Sequence, residues 1–288
     1  MSVILTGAGA VLLAEGETCD PLPFLRSRKS RKFMGTQDDL AVVAAGRALA
    51  SAGLSASQLG PRAGLFLAVG YIPFLAEDIG PVLAASMTED RFDVRRFGDG
   101  GFQKAHPLLT FRCLPNMPAY HVSACFDVQG PYLVTYPGPA ELYAALEEAA
   151  YALASGQVDV ALVGAVAAQS NFLVRHHFAR IEPPLEARDL RDVAAVLVLE
   201  SRAHAGTRAR GALEALESCY APPDLASYAT PRAPTVERLD GTTLDPGFGP
   251  AALALALARK IEEGHSGSLH HELASSGGVR ASSTWVLS

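Results

Sequence analysis

The chain has no CxxC pair and no apolar run approaching the roughly 18 residues needed to span a bilayer, so its pattern offers neither a zinc or redox motif nor a membrane helix. Its four cysteines, Cys19, Cys113, Cys125 and Cys219, stand far apart, with no histidine at a metal-ligand interval. That spacing indicates no disulfide framework, and a reducing cytoplasm is the expected setting. Positive charge is short too: 24 Lys and Arg against 30 Asp and Glu leave a net charge of −6. Nothing global draws such a chain to nucleic acid or to an anionic membrane. The opening MSVILTGAGAVLLAEGE is apolar but lacks a basic n-region, and it reads as a strand and turn, not as a signal peptide.

What is present is core. With 49% hydrophobic and 19% charged residues, 288 positions suffice for one large domain or two small ones. Short β-branched runs alternate with Ala/Leu-rich helical patterns, the mark of an α/β domain. SVILTG, 63–70 (AGLFLAVG), 159–166 (DVALVGAV) and 192–201 (DVAAVLVLES) read as strands, the last two of the kind buried on both faces. Helices are expected over 37–52, with acids in the first turn and Gly53 as a stop, and over 141–157. A last helix over 250–263 and a strand over 282–287 close the chain. Between Tyr220 and Gly249 five prolines and little periodicity predict a long irregular connection.

Several residues invite chemistry. Cys125 sits in HVSACFDVQGP, ahead of a Gly-Pro turn. Read as strand, that segment puts His121 about 13 Å from Cys125 at ~3.3 Å per residue, too far to serve as its base. The paired histidines His176-His177 and His270-His271 lack the accompanying carboxylates of a metal site, and adjacent side chains diverge. Gly7-Ala8-Gly9 lacks the third glycine of a dinucleotide fingerprint and reads as a turn. Glu141, Glu147 and Glu148 read as the exposed acidic face of an amphipathic helix, and Trp285 as core. The basic run RSRKSRK is read as a solvated loop or, through Arg26, Arg28, Lys29, Arg31 and Lys32, as a docking patch for an acidic carrier protein.

Taken in order, LPNMPAYHVSACFDVQGPYLV, the helix after it and ALASGQVDVALVGAV resemble the central segment of the β-ketoacyl synthases. RKFMGTQDDLAVVAAGRALASAGL, FARIEPP, AAVLVLESRAHAGTRARG, GPAALALALARKIEEG and SSGGVRASSTWVL agree, so the resemblance covers most of the chain. It implies a thiolase-like layered αβαβα fold, truncated in its second half. It also implies a single domain over 1–288, with one repeat over about 1–170 and a shortened one over about 171–288. In that family the nucleophilic cysteine lies nine residues beyond the glycine of the Gly-Pro pair, at the head of a buried helix that lowers its pKa. Counting from Gly130 reaches Pro139. No His-Gly-Thr motif occurs, and Pro246-Gly247 stand where a Gly-His pair is expected before the last long helix.

The resemblance therefore implies a catalytically silent subunit akin to the chain-length factors of type II polyketide or aryl polyene synthesis. Its expected partners are an active β-ketoacyl synthase, as a heterodimer, and an acyl carrier protein, with no cofactor and no metal. Tyr132, Leu133, Val134, Thr135 and Tyr136 are expected at the dimer interface, and Leu114, Met117 and Tyr120 along an acyl tunnel. Two rival readings remain open. One is a residual decarboxylase or acyltransferase using Cys125, Ser275 or Ser276, and the other is a homodimeric acyl-binding scaffold.

Overall fold

The computed structural model describes residues 3–181, 184–186, 189–221, 235–275 and 277–288. Strand β1 (Val3–Leu12) outruns the SVILTG reading because Gly7 and Gly9 lie inside it and not in a turn. Helix α1 (Thr36–Ala52) crosses β1 so closely that a Cβ on Gly7 would stand 2.5 Å from the Ala52 nitrogen, and one on Gly9 would meet the backbone at Ala48. The glycines are there for that approach. Asp38 caps α1 by accepting the Gly35 N–H at 2.7 Å, and Gly53 ends it with a left-handed φ of 67°.

After strand β2 (Ala63–Val69) comes an excursion through α2 (Ala76–Ser86), the small hairpin β3 (Met87–Thr88) and β4 (Arg91–Phe92), α3 (Val94–Asp99) and α4 (Leu109–Cys113). Helix α5 (Met117–Phe126) follows, where the sequence reading placed a strand. Pro118 suits its first turn, and Asp127, with φ 61°, ends it in the left-handed region. His121 and Cys125 are thus one helical turn apart on one face, not the ~13 Å apart that an extended strand would put them.

The chain continues through β5 (Tyr132–Thr135), α6 (Glu141–Ala154), β6 (Val160–Ala168), α7 (Phe172–Phe178), β7 (Asp192–Ser201), α8 (Arg202–Ala205) and β8 (Gly211–Tyr220). Residues 222–234, the middle of the expected irregular connection, lie outside the described residues. Its remainder is more regular than expected, with β9 (Val236–Leu239), β10 (Thr242–Thr243) and a 3-10 turn over Pro246–Ala251. Helix α9 (Ala252–Glu262) and strands β11 (Gly267–Ala274) and β12 (Val279–Leu287) complete the fold.

Ten strands form one mixed sheet in the order β10-β9-β11-β12-β8-β1-β7-β6-β2-β5, with β5 at one edge. Strand β2 runs parallel to β5 and β6, and the other pairings are antiparallel. Alternation splits the central strands between two cores. Leu65, Leu162 and Val196 pack against α1 and α5 on one face, while Phe66, Val163 and Leu197 pack against α6 and α9 on the other. Trp285 is fully buried in the second core. No helix among the described residues is long and apolar enough to cross a membrane.

Candidate functional site

The head of α6 is the point to which the sequence count leads. Strand β5 leaves the sheet edge through Tyr136-Pro137-Gly138-Pro139-Ala140, and Thr135 fixes the exit by donating its hydroxyl to the Glu141 carbonyl at 2.9 Å. The amides of Glu141, Leu142 and Tyr143 are bonded to the carbonyls of Gly138, Pro139 and Ala140 at 3.1, 3.3 and 3.1 Å. Pro139 has no N–H at all. A helix start ordinarily offers free donors to an anion, and here those three are committed. The first-turn charge is Glu141, whose carboxyl is half-buried and is pushed above the usual carboxylate range by burial.

This head forms one wall of a cavity of about 450 Å³. Pro139, Ala140 and Glu141 face Tyr71, His177 and Phe178 across it, with Glu237, Ser275 and Val279 from the C-terminal strands and Pro246 and Gly249 from the turn before α9. Glu141 therefore does not belong to the exposed acidic face; Glu147 and Glu148 do, and Glu147 accepts a hydrogen bond from Ser218 at 2.6 Å. His177 meets the Tyr71 hydroxyl at 3.0 Å, inside an aromatic cluster with Tyr136 and Phe178. In the turn, a side chain at Gly247 would collide with the Asp189 carbonyl, and Gly249 takes φ 52° against the buried Gln169. Gln169 donates to the Gly247 carbonyl. The backbone here leaves no room for a histidine at 247.

Behind the cavity runs a buried polar chain that the sequence reading missed. Trp285 Nε1 donates to Ser283 Oγ at 3.0 Å, and Tyr143 Oη stands 3.1 Å from Ser283 Oγ and 2.7 Å from His271 Nδ1. His271 Nε2 then lies 3.4 Å from Glu237 Oε2. All are buried, and burial pushes the Tyr143 hydroxyl well above its ordinary pKa. The signal lay in the HHELA run: on β11, His271 points inward with Leu269 and Leu273, and His270 points outward.

Cys125 lies on α5, outside this cavity, and burial pushes its thiol pKa up, against thiolate formation. His121, pushed down to about 4 by burial, is 2% exposed and sits 4.0 Å from Asp38. The basic run is split by its own contacts. Arg26 reaches the Cys125 carbonyl at 3.1 Å and Asp127 at 3.4 Å, and Arg31 pairs with Asp39 at 2.7 Å, whereas Arg28, Lys29 and Lys32 are exposed. Of the tunnel candidates, Met117 is buried and Leu114 and Tyr120 are exposed, and none lines the cavity at α6. Tyr132, Leu133, Val134 and Thr135 form the sheet-edge strand, with Tyr132 70% exposed, and Tyr136 follows it. Ser275 lines the cavity; Ser276 lies outside the described residues.

Comparison with solved structures places the fold. The chain aligns with "AntDE:AntF (apo)", a type II PKS acyl-carrier protein in complex with its ketosynthase bound to the hexaketide, at a TM-score of 0.72 and 16% identity, covering 100% of this chain and 99% of that one. The ishigamide ketosynthase/chain length factor aligns at 0.65 and 17%, and a β-ketoacyl synthase from Burkholderia phymatum STM815 at 0.66 and 15%, with the same coverage. These establish the mixed α/β fold as the thiolase-like fold of the ketosynthases. No curated protein matches the chain significantly. Residues 5–189 match the family profile described as Beta-ketoacyl synthase, N-terminal domain, and with most of its length so matched, the chain belongs to the β-ketoacyl synthase family.

Proposed function

We propose that the chain is a non-catalytic, ketosynthase-like subunit of chain-length-factor type that pairs with an active β-ketoacyl synthase. Pro139 carries the reading. It occupies the head of α6, on the wall of the cavity, where a cysteine would be needed. The turn before α9 adds weight, because Gly247 excludes a side chain where a histidine is expected. The partner kinds come from the aligned structures, one a ketosynthase/chain length factor and one a ketosynthase with its acyl-carrier protein. The pathway class is type II polyketide assembly, with aryl polyenes as the product class to test first.

The pairing surface in this reading is the open edge of β5 with Tyr132 to Tyr136, since an unpaired strand edge is a template for another chain. The exposed Leu114 and Tyr120, with Met117, complete an acyl tunnel together with the partner. Arg28, Lys29 and Lys32 form the carrier-docking patch. Co-expression with an intact ketosynthase tests the proposal. A one-to-one complex that forms only on co-expression, with an acyl probe attached to the partner's cysteine alone, supports it. Stoichiometric acylation of this chain, abolished by Cys125→Ala or Ser275→Ala, refutes it.

A further inference from the structure

The direction of the buried chain behind the cavity follows from what its two ends can do. An indole N–H only donates and a carboxylate oxygen accepts, so the run from Trp285 through Ser283 and Tyr143 to His271 is read in one direction, toward the Glu237 oxygen 3.4 Å beyond His271 Nε2. Ser283 accepts from Trp285 and donates to Tyr143; Tyr143 donates to His271 Nδ1; the ring proton then sits on Nε2. The reverse order would aim the Nε2 lone pair at the Glu237 carboxylate. Nε2 is fully buried and has no hydrogen-bond partner among the described residues, and the Glu237 carboxyl, 3.4 Å away, is the group it faces. Glu237 thus has His271 Nε2 behind it while its front lines the cavity.

A second carboxyl, Glu141, lines the same cavity and is penalised by burial for carrying its charge there. No Lys or Arg lines the cavity among the described residues, and the head of α6, the usual source of positive potential, has its first amides bonded. Aromatic side chains of Tyr71, Phe178 and Tyr220 stand in the walls, and Pro139, Ile181 and Val279 supply apolar surface. Two acids and aromatic rings, with no Lys or Arg among the described lining residues, make a seat for positive charge. At about 450 Å³ the cavity has the size of a small-molecule site.

We propose that this cavity binds a protonated amine, the ammonium head of an alkyl or acyl chain, with Glu237 and Glu141 as its counter-charges and the apolar wall against its chain. The ammonium supplies hydrogen-bond donors that no described residue gives the Glu237 carboxyl, and its charge offsets the cost of ionising Glu141. The proposal goes beyond pairing with a ketosynthase and does not depend on it. Failure to form that complex leaves amine binding to be read on the full chain.

Titration calorimetry of the full chain at pH 8, where an unperturbed histidine is neutral, tests it with hexylammonium, hexanol and hexanoate as probes. The ammonium is expected to bind at least about tenfold more tightly than the alcohol, the gain of a charge-assisted hydrogen bond, and hexanoate is expected not to bind. Glu237→Gln keeps an oxygen to accept from His271 while removing the charge, and should weaken ammonium binding about tenfold or more. Glu141→Gln, in a half-exposed first turn, should weaken it as well and carries the test if the buried variant does not fold. Glu147→Gln/Glu148→Gln, on the exposed face, should bind like the parent. Equal affinity for hexanol, undiminished binding in both cavity variants, or an equal loss in the surface pair overturns the proposal.

Discussion

Tyr143→Phe removes one oxygen from the middle of the buried chain and leaves the ring in place. Tyr143 is 1% exposed, so no water can take over its contacts with His271 Nδ1 at 2.7 Å and Ser283 Oγ at 3.1 Å. Two neutral hydrogen bonds are worth about 1 kcal/mol each, and the orphaned His271 acceptor adds about 1 kcal/mol or more, giving roughly 2–4 kcal/mol in all. With an unfolding entropy of about 2.1 cal/mol/K per residue over 288 residues, that shift corresponds to a fall in Tm of roughly 3–7 °C. Urea unfolding should show a lower midpoint at an unchanged m value. Ser283→Ala and the double variant close the cycle, and a coupling energy of about 0.5 kcal/mol or more is expected for groups in one network. A loss under about 1 kcal/mol, or strict additivity, would refute both the chain and the His271 tautomer assigned from it.

Four further outcomes follow from other parts of the molecule. Burial pushes Asp39 up to about 7 although Arg31 lies 2.7 Å away, so its contribution to stability is present below its ordinary carboxylate range and is lost as pH rises through about 7. Asp39→Asn should flatten that decline, by up to about 1.4 kcal/mol per pH unit, in urea midpoints measured from pH 4 to 8. His121, pushed down to about 4, acts oppositely. Its contribution is present above about 6.5 and lost as pH falls through about 4, so His121→Asn should leave a protein more tolerant of acid. Gly9→Ala drives a methyl into the α1 backbone at Ala48 and should cost about 2 kcal/mol or more, read as a lower Tm or loss of soluble expression. In the native protein a thiol reagent should label the exposed Cys219 fast, and the buried Cys113 and Cys125 slowly, by mass spectrometry of timed samples; rapid modification of Cys125 would contradict its burial.

How much of this was legible depends on which signal a segment carries. Helix α1 and strands β2, β6 and β7 were readable because their apolar residues repeat at helical period or run uninterrupted, and the observed ends fall within two residues of the expected ones. Helix α5 was misread since MPAYHVSACF mixes small, β-branched and aromatic residues without a clear stripe; only Pro118 and Asp127 mark its ends. Strand β8 carries Glu214 and Glu217, and β11 carries His270, His271 and Glu272 in succession, with His271 buried between Leu269 and Leu273, so neither shows a clean apolar alternation. Pro139 was reached by counting nine residues from Gly130, and the structure puts it at the head of α6. Glu237, His271 and Tyr143 were not found, since residues 128 positions apart meet only once the register of β9, β11 and β12 is set.

The same helix thus carries both ends of the site. Its first residue, Glu141, faces the cavity, and its third, Tyr143, is tied through His271 and Ser283 to the strands on the far side of the sheet. A helix whose head held a reacting group would be oriented by the demands of that group. Here Thr135 anchors the start, Pro139 fixes the turn, and Tyr143 locks the rotation about the helix axis against β11 and β12. That arrangement ties the head of the helix to β5, β11 and β12 by contacts of its own, which suits the non-catalytic subunit we propose. It also places Glu141 and Glu237 by two routes that share one tyrosine. A change at Tyr143 should therefore weaken ammonium binding as well as stability, although Tyr143 is not among the residues that line the cavity.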